Sequence, residues 1–425
     1  MTCWGRQLGN DALIPEAGKQ DSARPVILAF VRYYIPGDKS GGPVRSIVNL
    51  VNLFCHEFDF RIVAFDRDWK DEVPYEGVAV NAWNKVGNAW VYYISQDKCT
   101  LPFIAKLLSD THHDVLYLNS FFDPIFAQRP LWARKLGLAP KRPLIIAPRG
   151  EFSPGAFCLK LWKKSPYTWL ATRLGLYSQV IWHASSELEA SDIRNHLASN
   201  RKHKVVIAVV VASDVASDLA VEDSAPDSAS DCEHNHALRV VFISRITPKK
   251  NLDFALRVLA KVQVPVEFDI YGPIGEDDYW DYCKTLIGKL PPNIAAKYLG
   301  ILAHPEVSNV FQSHDLFLFP TRGENFGHVI MESLAAGTPV LIADTTPWQD
   351  LDDAGVGWEL SLDNESEFVA KIHAAADLSA AARGEWRRRV LAYACERVAN
   401  PEVTAANRRL FVRAIQTEQR QPEWP

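Results

Sequence analysis

The stretch LFLFPTRGENFGHVIMESLAAGTPVLIA, residues 316–343, decides the fold of this chain. Its first five residues (316–320) form a short apolar run of the length of a buried strand, and residues 339–343 form another. Between them, residues 328–336 have the apolar spacing of a helix. A strand, a helix and a second strand in this order predict a βαβ unit with parallel strands.

The same alternation extends over nearly the whole chain. The apolar runs before the opening stretch are VILAFV (26–31), RIVAF (61–65), VLYLN (115–119), PLIIA (143–147), VIWHA (180–184), VVIAVVV (205–211), LRVVFIS (238–244), VEFDIYG (266–272) and AKYLG (296–300). They lack period-two polarity, which is typical of parallel strands covered by helices on both faces. We therefore predict an α/β fold with two doubly wound, Rossmann-like domains facing a cleft, where ligands bind at the strand carboxyl ends.

The composition along the chain predicts where these domains begin and end. We expect an N-terminal acceptor-side domain over 1–212, an acidic linker over 213–237 and a C-terminal nucleotide-binding domain over 238–400. Residues 401–425 would form a helix that packs back on the first domain. The predicted linker is rich in Ser, Asp and Ala and shows neither strand nor strong helix periodicity.

The overall composition argues against several classes of protein. The chain has 425 residues, which is too long for one ordinary core, and 48% of them are hydrophobic. A net charge of -5 disfavours nucleic acid as the main partner. The seven cysteines include no CxxC pair, so we predict neither a zinc site nor a disulfide framework, and a cytoplasmic location. No apolar run reaches the length of a membrane span, and the N-terminus lacks the apolar segment of a secretory signal.

Two glutamates in the opening stretch are the strongest functional signal. Glu324 follows a predicted strand, and Glu332 lies about one turn into the next helix. The helix N-terminus between them offers free N–H groups and a positive dipole end to an anion. Two carboxylates beside such a site suit a polyhydroxylated ligand that carries a diphosphate. The alternative, in which Glu324 caps the helix and Glu332 faces solvent, is equally compatible with the spacing.

Two other loops carry residues suited to phosphate. Arg245 and Lys250, in SRITPKKN (244–251), follow a predicted strand and would neutralise a diphosphate, although basic loops before helices are common. Gly41 and Gly42, in YYIPGDKSGGPVRS (33–46), offer bare N–H groups at a helix start, or form a simple tight turn. Their spacing matches neither the dinucleotide-binding nor the P-loop pattern.

Taken in order, these segments resemble the retaining GT-B glycosyltransferases often called family 4. The resemblance covers roughly residues 26 to 360. The motifs that carry it are GG after the first strand, APRGEFSPGAF (147–157), WHASSELE (182–189), SRITPKKN, IYGP (270–273) and the glutamate pair followed by AAGTPV. The resemblance implies transfer of a sugar from a UDP- or GDP-sugar to a glycan, with retention and without a metal cofactor.

The resemblance also implies roles for single residues. Glu324 would bind the donor sugar hydroxyls and Glu332 the ribose, and Arg245 and Lys250 would assist departure of the diphosphate. Leu302 would contact the nucleotide base. The other implied donor contacts are Gly41, Gly42, Gly272, Asn325, Phe326, Gly327 and His328.

Three further residues are predicted on the acceptor side. Asn119 stands where many relatives carry a histidine, so a protein base from that strand is doubtful and the leaving phosphate would take the acceptor proton. Arg149, in a polar loop with Glu151, would bind an acceptor phosphate or sugar, or only form an ion pair. His183 would face the cleft, or be a core histidine held by a backbone carbonyl.

The segment 157–177 mixes basic and aromatic residues and has two interpretations. It would lie on an anionic membrane, which would imply a lipid-linked glycan acceptor, or it would be a solvated basic face over an aromatic contact. Pro166 is expected to split it into two short helices. A further alternative concerns the whole chain, which would be a catalytically silent nucleotide-sugar-binding subunit of the same fold.

Overall fold

The computed structural model of the chain describes residues 24–37, 39, 42–153, 161–198, 208–211 and 237–419. Its first sheet has the strand order β3-β4-β2-β1-β5-β6-β7-β8. These strands are β1 (Val26–Phe30), β2 (Asp59–Phe65), β3 (Trp83–Val86), β4 (Ala89–Ile94), β5 (Val115–Leu118), β6 (Leu144–Ile146), β7 (Val180–Ala184) and β8 (Ala208–Val211). All neighbours are parallel except β3 and β4, so the predicted parallel sheet carries one antiparallel edge strand.

Helices cover both faces of this sheet. The α-helices of the first half are α1 (Gly42–Phe54), α2 (Leu101–Asp110), α3 (Arg129–Lys135), α4 (Leu161–Arg173) and α5 (Glu187–Ala198). Along β1, Leu28 and Phe30 face one apolar core, whereas Ile27 and Ala29 face the other. This arrangement explains why the strand is apolar at every position.

The second sheet has the order β11-β10-β9-β12-β13-β14, and its pairs are all parallel. Its strands are β9 (Leu238–Ile243), β10 (Val266–Tyr271), β11 (Ile294–Gly300), β12 (Leu316–Phe319), β13 (Val340–Ala343) and β14 (Gly357–Leu360). The helices of this half are α6 (Leu252–Leu259), α7 (Asp277–Ile287), α8 (His304–Gln312), α9 (His328–Ala335), α10 (Glu365–Ala376) and α11 (Ala380–Val398). The predicted βαβ unit at 316–343 is thus confirmed as β12, α9 and β13.

The last helix, α12 (Pro401–Gln419), packs on the first sheet rather than the second. Its Phe411 is fully buried, with ring contacts to Phe54, Phe58 and Phe60. Apolar burial of this kind holds the end of the chain on the first domain.

One detail differs from the sequence expectations. Helix α4 continues through Pro166, so the predicted split is wrong.

The predicted linker 213–237, except its last residue, lies outside the described residues. Within the described part of the chain, no helix is long and apolar enough to cross a membrane.

Candidate active site

A cavity of about 470 Å³ lies between the two sheets, beside the carboxyl ends of β1, β9, β10 and β12. Both sheets reverse their strand order next to β1 and β9, and ligands bind at such points in doubly wound folds. The charged side chains that line the cavity are Lys39, Arg45, Arg149, Arg245, Lys249, Lys250, Glu324 and Glu332. Six of them are cationic and two are acidic, so the cavity suits an anionic ligand.

Asn251 joins the loop after β9 to the loop after β12. It adopts the left-handed conformation (φ 63°), which asparagine tolerates better than most residues, directly before α6. Its side-chain nitrogen donates to the carbonyl of Pro320 (2.9 Å), and its side-chain oxygen accepts from Arg322 (3.1 Å). The loop that carries Lys250 is therefore fixed against the loop that carries Glu324.

Lys250 and Glu324 form an ion pair at the floor of the cavity. The Lys250 ammonium donates to Oε1 of Glu324 at 2.6 Å, and the Thr321 hydroxyl donates to the same oxygen at 2.9 Å. Burial acts to raise the pKa of Glu324, but Lys250, Lys249 and these hydrogen bonds outweigh it, so the pKa lies below its usual value. Glu324 is therefore a carboxylate at neutral pH. The interpretation of Glu324 as a simple helix cap does not fit these partners.

Helix α9 begins directly after Gly327, which adopts a left-handed conformation (φ 84°). A Cβ there would lie 2.9 Å from Cδ1 of Ile330, which would have to shift, and the left-handed backbone conformation itself favours glycine. The Trp348 indole donates to the carbonyl of Phe326 (2.6 Å) and supports the turn before the helix. Asn325, Phe326, Gly327 and His328, which the resemblance implies as donor contacts, all line the cavity.

Glu332 lies one turn into α9 and lines the same cavity. Burial raises its pKa, and the opposing effects of His328 and Arg45 are smaller. The two glutamates thus share one cavity but differ in environment, because a lysine partner lowers the pKa of Glu324 whereas burial dominates that of Glu332.

Arg245 reaches from the end of β9 towards the first domain. Its guanidinium Nη2 donates to the carbonyl of Lys39 (2.9 Å), and its Cζ lies 4.5 Å from the ring centroid of Trp69. Arg245 and Lys250 thus line one cavity from the same loop, as the sequence predicted, but Arg245 is held by the opposite domain.

Helix α1 supplies the wall of the cavity on the first domain. Gly42 is its first residue, and a Cβ there would be 3.5 Å from the His328 ring, so the two domains approach closely at this point. The Ser46 hydroxyl is 2.9 Å from Nε2 of His328. Gly41, the other predicted glycine, lies outside the described residues.

Gly272 and Leu302 line the far end of the cavity. A Cβ on Gly272 would lie 2.0 Å from the carbonyl oxygen of Ser244, so only glycine fits where β10 passes β9. His304 is beside them, and burial lowers its pKa to about 4, which leaves the imidazole neutral at pH 7. This end offers an apolar surface and an uncharged hydrogen-bonding ring.

The predicted acceptor-side residues form one hydrogen-bonded group, of which only Arg149 lines the cavity. Its Nε donates to the Asn119 side-chain oxygen (2.6 Å), and its Nη2 donates to the Tyr117 hydroxyl (2.9 Å). That hydroxyl is 2.9 Å from Nδ1 of His183, which is only 2% exposed. The expectation that His183 faces the cleft is therefore wrong, and the alternative of a buried core histidine fits.

Glu151, in the same predicted polar loop, has an internal role. Its carboxylate accepts from the backbone N–H groups of Phe121 and Phe122 and from the Ser120 hydroxyl. The capped-loop interpretation fits these contacts better than an acceptor contact does.

Sequence reasoning missed several residues of the site. Arg45, Ser46 and Lys249 stand inside the quoted motifs but received no role, and His304 was not considered. A cation three positions after Gly42, on the first turn of the predicted helix, was a usable signal for Arg45. Nothing in the sequence near Trp69 points to its contact with Arg245.

Two doubly wound domains with a ligand-sized, cationic cavity between their strand ends define the GT-B architecture. Residues 233–387 match the family model of the glycosyl transferases group 1. A crystal structure of Anabaena HepE in complex with UDP and glucose is similar over 93% of this chain and all of that one, with 18% identity and a TM-score of 0.64. An α,α-trehalose-phosphate synthase (UDP-forming) from Burkholderia vietnamiensis reaches a TM-score of 0.66 at 12% identity, over 94% of this chain and 98% of that one. At these identities the likeness establishes the fold.

Curated relatives match over a shorter range. The GtfA subunit of a UDP-N-acetylglucosamine–peptide N-acetylglucosaminyltransferase from Streptococcus agalactiae is 28% identical over 111 residues, which is 25% of this chain and 21% of that protein. A D-inositol 3-phosphate glycosyltransferase from Mycobacterium tuberculosis is 32% identical over 105 residues, 24% of this chain and 22% of that protein. The matches thus span about a fifth of the length of these relatives.

Proposed function

We propose that the protein is a glycosyltransferase that moves a sugar from a UDP- or GDP-sugar to a hydroxyl of a glycan acceptor. The observation that carries the proposal is the convergence of Glu324, Glu332, Arg245 and Lys250 on one cavity at the start of α9. A nucleotide sugar needs hydroxyl acceptors for its sugar and ribose and cations for its diphosphate, and this cavity presents both. The group 1 match and the UDP held by a protein of similar fold support this assignment.

In the proposed reaction, the bond between the sugar C1 and the phosphate oxygen breaks, and the acceptor oxygen bonds to C1 on the same face. The acceptor proton passes to the departing phosphate. Glu324 orients the sugar hydroxyls as a carboxylate, and Arg245 and Lys250 stabilise the negative charge that develops on the diphosphate. The first-domain wall with Arg149 would hold the acceptor.

A donor panel tests the proposal. We expect one UDP- or GDP-sugar to raise the melting temperature of the protein by mass action and to be hydrolysed slowly without an acceptor. We also propose that Arg245 and Lys250 serve in place of a metal, so that EDTA leaves this hydrolysis unchanged. Binding without hydrolysis would favour a silent subunit, whereas no binding of any donor would overturn the assignment.

The raised pKa of Glu332 predicts a pH dependence of donor binding. A carboxyl group with a raised pKa is protonated earlier as the pH falls, and it then loses its charged hydrogen bonds to the ribose. We expect the affinity for the donor that wild type binds to be lower at about pH 5 than at about pH 7.5, with roughly tenfold as the upper limit, the value of one charged hydrogen bond. Calorimetric titration of wild type and of Glu332→Gln at both pH values measures this affinity.

The variant Glu332→Gln is the control for other titrating groups, because it removes only this carboxylate. Its affinity should be low at both pH values. A pH dependence equal to that of wild type would assign the effect to another group.

We further propose that part of 157–177 contacts an anionic membrane and that the acceptor is lipid-linked. The described part of this segment exposes the apolar side chains of Trp169, Leu170 and Leu174, and Arg173 stacks over Trp169 at 5.8 Å. Residues 157–160 lie outside the described chain. An apolar surface beside a cation suits the headgroup region of an anionic bilayer.

Co-sedimentation with vesicles tests this contact. We expect the protein to sediment with phosphatidylglycerol vesicles but not with phosphatidylcholine vesicles, and Trp169→Glu to reduce sedimentation several-fold, because it removes apolar area and adds repulsion. Trp90→Glu, at another exposed tryptophan, should have no effect. Equal loss in both variants would contradict a local docking surface.

A further inference from the structure

The loop that follows β2 reaches across the gap between the domains and contacts the loop of Arg245. Trp69 places its ring centroid 4.5 Å from the Arg245 Cζ, and the next residue, Lys70, donates to the carbonyl of Gly275 at 3.3 Å. Trp69, Lys39 and Lys70 belong to the first domain, whereas Arg245 and Gly275 belong to the second. These contacts therefore form only while the two loops lie together.

The orientation of Arg245 depends on this opposite domain. Within the described residues, its one hydrogen bond is the donation from Nη2 to the Lys39 carbonyl, and its buried Nε has no partner. An arginine side chain has many rotamers, and each contact that fixes its planar group reduces their number. The indole face of Trp69 and the Lys39 carbonyl together select one rotamer, in which the guanidinium lines the cavity.

Trp69 and the backbone of Lys39, which both contact Arg245, are held together by a buried carboxylate. Asp68 is 4% exposed, and its two oxygens accept from the backbone N–H of Trp69 (2.7 Å) and of Lys39 (2.8 Å). A Cβ on Gly37 would lie 2.8 Å from this carboxylate, so the loop after β1 packs tightly on it. The two elements that touch Arg245 are thus joined to each other before they meet the second domain.

We propose that Trp69 is a positioning residue that holds Arg245 in line with the leaving diphosphate when the domains are closed. The inference rests on the proposed function. A cation over an indole ring is held most strongly where water is partly excluded, as it is in a closed cleft. Domain closure would then do more than exclude water, because it would also place the cation that stabilises the departing group.

The test is a double-mutant cycle on nucleotide affinity. The probe is UDP or GDP, whichever wild type binds more tightly, and the variants are Trp69→Leu, Arg245→Ala and their combination. We expect Trp69→Leu to weaken binding about 5- to 20-fold in the wild-type background, a range typical of a partly desolvated cation–π contact. In the Arg245→Ala background, the same change should have almost no effect, because the two residues act as one unit.

Turnover and a conservative variant separate positioning from a merely structural role. Trp69→Leu should lower kcat and leave the acceptor KM unchanged, and Trp69→Phe should recover most of the loss because an aromatic face remains. Trp90→Leu is the matched control, since Trp90 also stacks with a cation, Lys85 at 5.7 Å, but Lys85 does not line the cavity, whereas Arg245 does. It should match wild type.

The outcomes distinguish failure of the proposed function from failure of the positioning role of Trp69. If wild type binds neither nucleotide, the proposed function itself is wrong. If wild type binds one but Trp69→Leu weakens binding equally in both backgrounds, or has no effect, only the positioning role is overturned.

Discussion

Replacing Glu324 with alanine is expected to lower sugar transfer by about 1,000-fold, because the proposed reaction needs this carboxylate to hold the donor sugar where charge develops. The same substitution is also expected to destabilise the fold. Lys250 loses its partner in a site where the glutamate side chain is only 12% exposed, and an unpaired cation there destabilises the fold. Steady-state kinetics and thermal unfolding of the same variant measure the two effects separately.

Glu324→Gln distinguishes catalysis from folding. The glutamine carbonyl still accepts from Lys250 and Thr321, so this variant should keep most of the wild-type stability while losing activity. The matched control is Glu365→Ala, because Glu365 also pairs with cations, Arg257 and Lys261, but lies outside the cavity lining. Wild-type turnover in Glu324→Gln would rule out a need for the negative charge.

The double variant Arg245→Ala with Lys250→Ala is expected to lower kcat by about 100- to 1,000-fold. In the proposed reaction these two cations stabilise the charge that develops on the leaving diphosphate, and such stabilisation matters more in the transition state than in the bound donor. A change confined to KM would contradict leaving-group stabilisation, because it would mean that donor and transition state are held equally.

The single variants should differ in their pH–rate profiles. Lys250 lowers the pKa of Glu324, whereas burial of that carboxyl acts to raise it. In Lys250→Ala the pKa of Glu324 therefore rises, and activity should be lost at a higher pH as the solution is acidified. Arg245→Ala should leave this acid limb in place, because Arg245 is not among the groups that shift the pKa of Glu324. Identical acid limbs in both single variants would contradict the coupling of Lys250 with Glu324.

The central strands could be predicted because a short continuous apolar run is typical of a strand buried on both faces. β1, β12 and β13 are buried at every position and apolar throughout, and β9 departs from this only at the exposed Arg239, so each run stands out against its surroundings. The edge strands β3 and β14 were missed because only part of each is buried. β4 was missed as well, although five of its six residues are buried.

The sequence by itself determined the glutamate pair and the loop of Arg245 and Lys250, because these residues belong to continuous strand–loop–helix units whose geometry is local. Only the tertiary structure decided which other side chains those residues contact. The contact between Arg245 and Trp69 joins two domains, and His183 turned out to be buried against Tyr117 because β5 and β7 lie in one sheet. Such partners depend on how distant segments pack, and the spacing of residues along a chain does not encode that packing in any local pattern.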